Sequence, residues 1–410
     1  MRQVFYISKI PLCTALLRYG LVCLTVLVVV VQKIRVCVNG YGTIGKRVAD
    51  AVALQPDMEL VGVTAHSMNY RIDTAYRHKG FNIFSLDGEV YKELEANGIK
   101  VSGSLDELLG SVDVIDDCSP KNGVKNKEIY QQRGVKAVFQ GGEKKNIASD
   151  SFVSQCDYSR ALGKDYLRVV SCNTTALCRT LHAIDKKYGV NHAHGVLLRR
   201  GTDSHDNRRG PINAIESSSE KPSHHGEDVR TVLERLQIFT TAYIVPTTLM
   251  HMHDLMLDMR DAHFDVNDII ELLNATPRIL VLKSNHGIES TAQVMDYHRD
   301  LLRNPRGDVY ETGILDGAIG IYRVHGYNRL FITQCVHQES NVVPENIDAI
   351  RAVMGFDDSK IPEEYRSRVE AAREAYMKSP LHSGLTDDKM EEVNPSRIIT
   401  DITLNIFKGI

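Results

Sequence analysis

Three sets of residues in this chain have types and spacings that can do chemistry. In "VVSCNTTALCRTLHAI", Val169 to Ile184, Cys172 stands between a β-branched run and a helical pattern, flanked by Ser171 and Asn173. A thiol at a helix start lies near unpaired N–H groups, which favour the thiolate and raise its reactivity. Cys178, further along the same helix, lies outside that field and reads as structural. By position alone Cys172 is either a nucleophile or an ordinary buried thiol, and both readings stand. Histidines fall in pairs, His192 with His194, His224 with His225, and His251 with His253. An H-x-H on a strand points both rings to one face, as a zinc site would ask. No third ligand is suitably spaced, so no metal is expected.

The third set is the glycines of "VNGYGTIG". Gly40, Gly42 and Gly45 keep G-x-G-x-x-G spacing, with Thr43 and Ile44 inside the turn. The motif follows a strand-like run and opens a helical one, the context that gives it meaning. The first glycine permits the tight turn, the second lets a pyrophosphate approach the backbone, and the third allows close helix packing. The helix N-terminus then faces the phosphates. NAD or NADP is the expected cofactor. No Asp or Glu follows Thr64; Ala65, His66, Ser67 and Asn69 stand where a carboxylate would hold a ribose 2′-hydroxyl. That leaves room for a 2′-phosphate, which His66, Ser67 and Arg71 are placed to meet. NADP+ is therefore expected to have the lower KM, and an Asp at Ala65 to reverse the order.

These residues need elements to position them. "IRVCVN", "MELVGVT", "VDVIDDC" and "VKAVFQGG" read as strands alternating with helical segments, which argues for a doubly wound parallel sheet. After Cys172 a helix to Tyr188 leads into "AHGVLLRRG", a long polar stretch from Thr202 to Asp228, and the strands around "TTLMHMHDLMLDMR" and "RLFITQCVHQ". The fold class expected is α/β: a Rossmann dinucleotide-binding domain plus an α+β catalytic domain with a mainly antiparallel sheet. The expected divisions are an apolar extension (1–33), the nucleotide domain (34–171), the catalytic domain (172–340) and C-terminal helices packing back on the first (341–410).

The chain has 410 residues, 25% of them charged, with a formal net charge of -3. No general attraction to nucleic acid or anionic lipid follows. Eight cysteines without a C-x-x-C pair fit no disulfide framework or zinc ribbon, so a reducing, cytoplasmic setting is expected. Ile10 to Val31 is almost wholly apolar, broken by Arg18. It could be a membrane anchor or a signal segment. The globular pattern starts abruptly at Ile34, so the stretch is expected to lie upstream of the folded protein, and a membrane is not expected as a partner.

"VNGYGTIGKRVADAV", "QGGEK", "RVVSCNTTALCRTL", "RRGPINAI", "PSHHG", "IVPTTLMHMH", "STAQVMDY" and "VHQESNVVPENIDAIRA" together resemble the archaeal type (type II) of phosphorylating glyceraldehyde-3-phosphate dehydrogenase. The similarity runs from about Ile34 to about Met354. It departs at the apolar start, at the tail after Gly355, loosely over Thr64 to Leu86, and at Ala176, where the family commonly has glycine. The resemblance implies oxidation of glyceraldehyde 3-phosphate, with inorganic phosphate, to 1,3-bisphosphoglycerate through a Cys172 thioester, in a homotetramer. It implies that His251 is the base, that Ser171, Asn173, His225 and Gly226 contact substrate, and that Gly142, Arg200 and Gln338 lie beside the cofactor. At least one of the pairs Arg199–Arg200 and Arg208–Arg209 is expected to face phosphate. Two other readings remain: an enzyme like aspartate-semialdehyde dehydrogenase, and a non-catalytic nucleotide-binding or redox-sensing protein.

Overall fold

A computed structural model describes residues 33–406, apart from 120–121, 141, 157, 207–209, 262, 302–305, 325 and 378–393. The apolar start and the Arg208–Arg209 pair lie outside the described residues. The first sheet holds β1 (Ile34–Asn39), β2 (Met58–Ala65), β3 (Ile83–Ser85), β4 (Val101–Ser104), β5 (Val114–Asp117), β6 (Lys136–Phe139), β7 (Asp150–Phe152) and β8 (Tyr166–Val169). Their order is β4-β3-β2-β1-β5-β6-β8-β7, with every pairing parallel. Short apolar runs such as Val36-Cys37-Val38 form these strands because both faces of a parallel sheet are covered. The order reverses between β1 and β5, and ligands of such sheets bind beyond the carboxyl ends at that point.

The second sheet holds β9 (Val190–Arg200), β10 (Glu216–Ser217), β11 (Ile238–Val245), β12 (His251–Met259), β13 (Ile279–Leu282), β14 (Thr312–Val324) and β15 (Tyr327–Val336). The order is β10-β11-β9-β12-β15-β14-β13. Only β9 with β11 and β13 with β14 run parallel, so the sheet is mainly antiparallel, as expected. The helix Cys172–Tyr188 leaves β8 and packs Leu177, Leu181 and Ile184 into this sheet's core. The helix Val343–Val353 returns to the first core, where Val343, Ile347 and Ile350 join Val36, Val48 and Val63.

Two features differ from expectation. The polar stretch Thr202 to Asp228 is not one irregular loop; it contains β10 and most of the short helix His224–Arg230. β14 escaped notice because Gly313, Gly317 and Gly320 interrupt it, and glycine weakens strand patterning.

A buried ionic cluster joins the two sheets to the C-terminal helices. Glu345 pairs with Arg179 of the helix after Cys172 (2.6 Å) and with Arg278 (3.1 Å), and accepts the Ser154 N–H (2.6 Å). Arg278 also pairs with Asp401 (2.8 Å) and lies 2.8 Å from Asp348, a charge contact without hydrogen-bond alignment. Arg351, on the same helix as Glu345, grips Asp57 and Gln55 beside the first sheet and Thr400 of the helix Pro395–Thr403.

Candidate active site

The glycine turn sits at the switch point. Gly40 has φ +95°, and a Cβ there would meet Ser119 and Cys118 backbone at 3.1–3.2 Å. A Cβ on Gly45 would lie 1.8 Å from the Gly40 carbonyl, so the turn tolerates only glycine there. A Cβ on Gly42 would meet nothing within 4 Å, so its backbone is open to a ligand. The helix that follows, Gly45–Leu54, has Ile44 at its N-cap with no side-chain cap and no acidic residue in its first turn. Of its leading N–H groups, those of Lys46 and Arg47 already donate to the Gly42 and Ile44 carbonyls (3.1 and 2.8 Å), so the helix meets an anion through its dipole and the open turn at Gly42. Burial and the charges of Arg47, Arg306 and Arg71 bring the nearby Lys46 down to about 8, which marks concentrated positive charge. Gln338 has a buried side-chain amide in which neither the nitrogen nor the oxygen finds a partner among the described residues. An orphaned amide is suited to a carboxamide, which donates and accepts in return. These residues fit a nicotinamide dinucleotide.

Two expectations about its 2′-position change. Ala65 is buried in the first core, so an Asp there would bury a carboxylate and damage the fold before it touched the coenzyme. His66 is exposed, but desolvation lowers its pKa, so at neutral pH it brings no charge to a phosphate. Asn69 caps the helix Tyr70–Arg77, and Arg71 lies in that helix's first turn with its Nε unpartnered.

Cys172 begins its helix directly after Ser171, whose hydroxyl accepts the Thr174 N–H. Asn341 donates to the Cys172 carbonyl (2.9 Å). Burial pushes the thiol pKa up; Arg200, the Asn173 backbone N–H and Arg199 pull it down, and burial wins. The helix terminus was expected to make a resting thiolate. The structure instead holds a thiol, because desolvation of the charged form exceeds the help from neighbouring donors.

His251, at the start of β12, accepts the Arg200 backbone N–H at Nδ1 (2.9 Å). Burial, reinforced by His253, Arg200 and Arg199, lowers its pKa well below the ordinary value. A neutral ring with Nδ1 accepting carries its proton on Nε2, so its free end donates. Taking a proton at Nε2 requires the other tautomer and loss of the Arg200 contact.

Asn173 offers its backbone N–H to the sulfur, while its side chain is engaged elsewhere. Its Oδ1 lies 2.9 Å from His253 Nε2, and its Nδ2 3.4 Å from His225 Nε2. His225 is 2% exposed, with Nδ1 3.1 Å from the Ser223 hydroxyl. The Gly226 N–H donates to Thr240 Oγ1 (3.0 Å). Neither His225 nor Gly226 therefore presents a free donor in this arrangement. Arg199 was named only as one of a pair, yet its charge acts on Cys172, His225, His251 and His253, and its Nε has no partner. Arg200 is ion-paired with Asp203, which also accepts from Thr43 Oγ1 (3.3 Å). Gly142 has φ +81° with open space beside it. Among the described residues no group of three His, Cys, Asp or Glu side chains could hold a metal. None of their helices is long and apolar enough to cross a membrane.

Known proteins resemble both halves. Residues 34–145 match the family described as dihydrodipicolinate reductase, N-terminus. Residues 171–312 match that of glyceraldehyde 3-phosphate dehydrogenase, C-terminal domain. The glyceraldehyde-3-phosphate dehydrogenase of Thermococcus kodakarensis is 46% identical over 328 residues, covering 80% of this chain and 95% of the relative. That of Pyrococcus furiosus is 48% identical over 325 residues, covering 78% and 94%, and that of Methanobacterium bryantii is 48% identical over 324, covering 78% and 94%. With this identity sustained across both sheets and the cysteine between them, the chain belongs to the archaeal-type glyceraldehyde-3-phosphate dehydrogenase family.

Proposed function

We propose that the protein oxidises D-glyceraldehyde 3-phosphate to 1,3-bisphosphoglycerate with inorganic phosphate and NADP+ or NAD+. The observation that carries this is Cys172, placed at a helix start with the Asn173 N–H on its sulfur and Arg199 and Arg200 beside it. The sulfur bonds to the aldehyde carbon, and the thiol proton ends on the former carbonyl oxygen. The Asn173 N–H and His251 Nε2–H are the donors that stabilise charge on that oxygen as it forms. Arg199 supplies the cation for the substrate's phosphate. When bound, the nicotinamide supplies the hydride acceptor. As the hydride leaves, the hydroxyl proton is released to solvent and Cys172 is left as a thioester; a hydrogen phosphate oxygen then attacks its carbonyl and expels the thiolate, and the phosphate's proton returns to the sulfur. The same reading makes the enzyme a cytoplasmic homotetramer, which light scattering would check.

Reduction of NADP+ and NAD+ is the direct test, with glyceraldehyde 3-phosphate plus phosphate in one arm and aspartate semialdehyde plus phosphate in the other. Turnover confined to the second arm, or absent from both, would overturn the proposal. Replacing His251 by Asn is expected to lower kcat by about two to four orders of magnitude, the usual worth of a positioned proton donor or acceptor. Coenzyme affinity should stay within about twofold, since the proposal gives His251 a part in the proton chemistry and none in holding the coenzyme.

NADP+ is expected to show the lower KM, because Lys46 and Arg71 supply charge and no Asp or Glu stands directly after Thr64, although the charges of Asp117 and Asp87 reach His66. The informative substitution is His66→Asp, at an exposed position. It should raise KM for NADP+ by about tenfold or more and leave KM for NAD+ unchanged or lower. A wild-type preference for NAD+ would show this reading of the site to be wrong.

A further inference from the structure

The second histidine of "MHMH" is fully buried and faces away from solvent, yet it is tied to the residue that follows the nucleophile. A continuous buried line of polar side chains runs through it. Thr180 Oγ1 donates to Gln334 Oε1 (2.7 Å), and Gln334 Nε2 donates to His253 Nδ1 (3.0 Å). The His253 proton therefore sits on Nε2, which donates to Asn173 Oδ1 (2.9 Å). Asn173 Nδ2 then points at His225 Nε2, and His225 Nδ1 donates to Ser223 Oγ. Ser223 Oγ donates to Thr240 Oγ1 (2.8 Å), which passes its own proton to the Ser223 carbonyl (3.0 Å). Every side chain in the line is at most 4% exposed.

The line joins the first turn of the helix Cys172–Tyr188 to β11, β12 and β15. Asn173 is its midpoint. With its amide held at both ends, the Asn173 side chain cannot rotate into the site, and its backbone N–H stays directed at the sulfur. We propose that His253 is a positioning residue, which fixes Asn173 through Nε2–H···Oδ1 and thereby keeps the Asn173 backbone N–H on Cys172. Burial holds His225 and His253 at about 3, so both rings are neutral and neither exchanges protons during turnover at neutral pH. The pair His251 and His253 then divides its work: the first ring is the proposed donor to the reacting oxygen, and the second acts only through Asn173.

The inference rests on Cys172 being the nucleophile, and the readout is chosen to keep the two apart. The rate of Cys172 alkylation by iodoacetamide, measured against pH in the full-length protein with coenzyme binding as a check of folding, reports the sulfur's surroundings without any turnover. Arg199 and Arg200 face the same sulfur and are left intact. His253→Leu is expected to shift the alkylation midpoint upward and to lower kcat by about tenfold to a hundredfold, the scale of an ångström-level misplacement. KM for the coenzyme should stay within about twofold. His253→Gln, which can return a donor to Asn173, should restore most of kcat, and Asn173→Ala with His253→Leu should be no worse than Asn173→Ala alone. If His253→Leu fails to bind coenzyme, Gln334→Leu carries the same test from the far side of the ring. An unchanged alkylation profile in a folded variant, or additive effects in the pair, overturns the proposal. Loss of turnover in all variants with an unshifted profile does so too. Full activity of Cys172→Ser would instead remove the premise.

Discussion

Cys172→Ser should lose at least about four orders of magnitude in turnover, while Cys178→Ser keeps nearly all of it. Removing a nucleophile abolishes the covalent route, and what remains comes from binding and oxyanion stabilisation alone. The residual rate is small here because a serine hydroxyl at this place has no adjacent base to activate it: His251 presents a donor, and Arg199 and Arg200 are cations. Cys178 sits six residues further along the helix, fully buried in the second core. Serine there buries a hydroxyl among Leu177, Leu181 and their neighbours, so it should cost about 1–3 kcal/mol of stability instead of turnover. Steady-state rates and thermal denaturation on the two variants separate the roles. Comparable activity loss in both would overturn the assignment of Cys172 as the nucleophile.

Arg278→Met should destabilise the protein by about 3–5 kcal/mol, the usual consequence of removing one side of a buried ion pair. Three carboxylates, Glu345, Asp348 and Asp401, converge on this one guanidinium; Arg179 also pairs with Glu345, and the charges of Arg351 and Arg397 also act on Asp348 and Asp401. By contrast, Arg366→Ala removes an exposed pair with Glu363 and should change stability by less than about 1 kcal/mol. The pH dependence follows from the sign of the shift. Burial already pushes Asp401 up to about 6, above its unfolded value of 3.8, although Arg278 opposes it. A carboxyl raised in the folded state contributes stability below its unfolded pKa, and that contribution disappears as pH rises through the folded one. Without Arg278 the folded pKa rises further, so the deficit of the variant should be larger near about pH 8 than near about pH 5. Denaturant unfolding at both pH values checks the size and the direction.

The nucleotide half was legible because its signal is local. Gly40, Gly42 and Gly45 lie within six residues, between a strand and a helix, and the backbone needs them where they are. Cys172 was legible for the same reason, as a thiol at a strand-to-helix junction. Its protonation was not, since burial depends on what the rest of the chain lays over it. The residues that hold the nucleophile were invisible for a related reason. Thr180, Ser223, Thr240, Gln334 and Asn341 are common polar types without a spacing rule. The bonds that matter join Thr180 to Gln334 across 154 positions and Asn341 to Cys172 across 169. The helix Tyr70–Arg77 was missed because only Ile72 and Ala75 are buried on it, too narrow a stripe to show periodicity. Ala65 misled because its place at a strand end suggested contact with the ribose, whereas its methyl group belongs to the core.

The helix Val343–Val353 has a consequence for how the chain is made. It gives Val343, Ile347 and Ile350 to the same core as Val36 and Val38, and Leu404 and Ile406 add to it from near the C-terminus. A ribosome delivers β1 long before these side chains exist. The nascent parallel sheet therefore waits, with its apolar face incomplete, while some three hundred further residues are synthesised, about 15–60 s at ordinary elongation rates. Slow parallel pairing and exposed apolar surface over that interval are the conditions under which aggregation competes with folding. The nucleotide-binding half is thus translated first, while its core closes only when the C-terminal helices arrive.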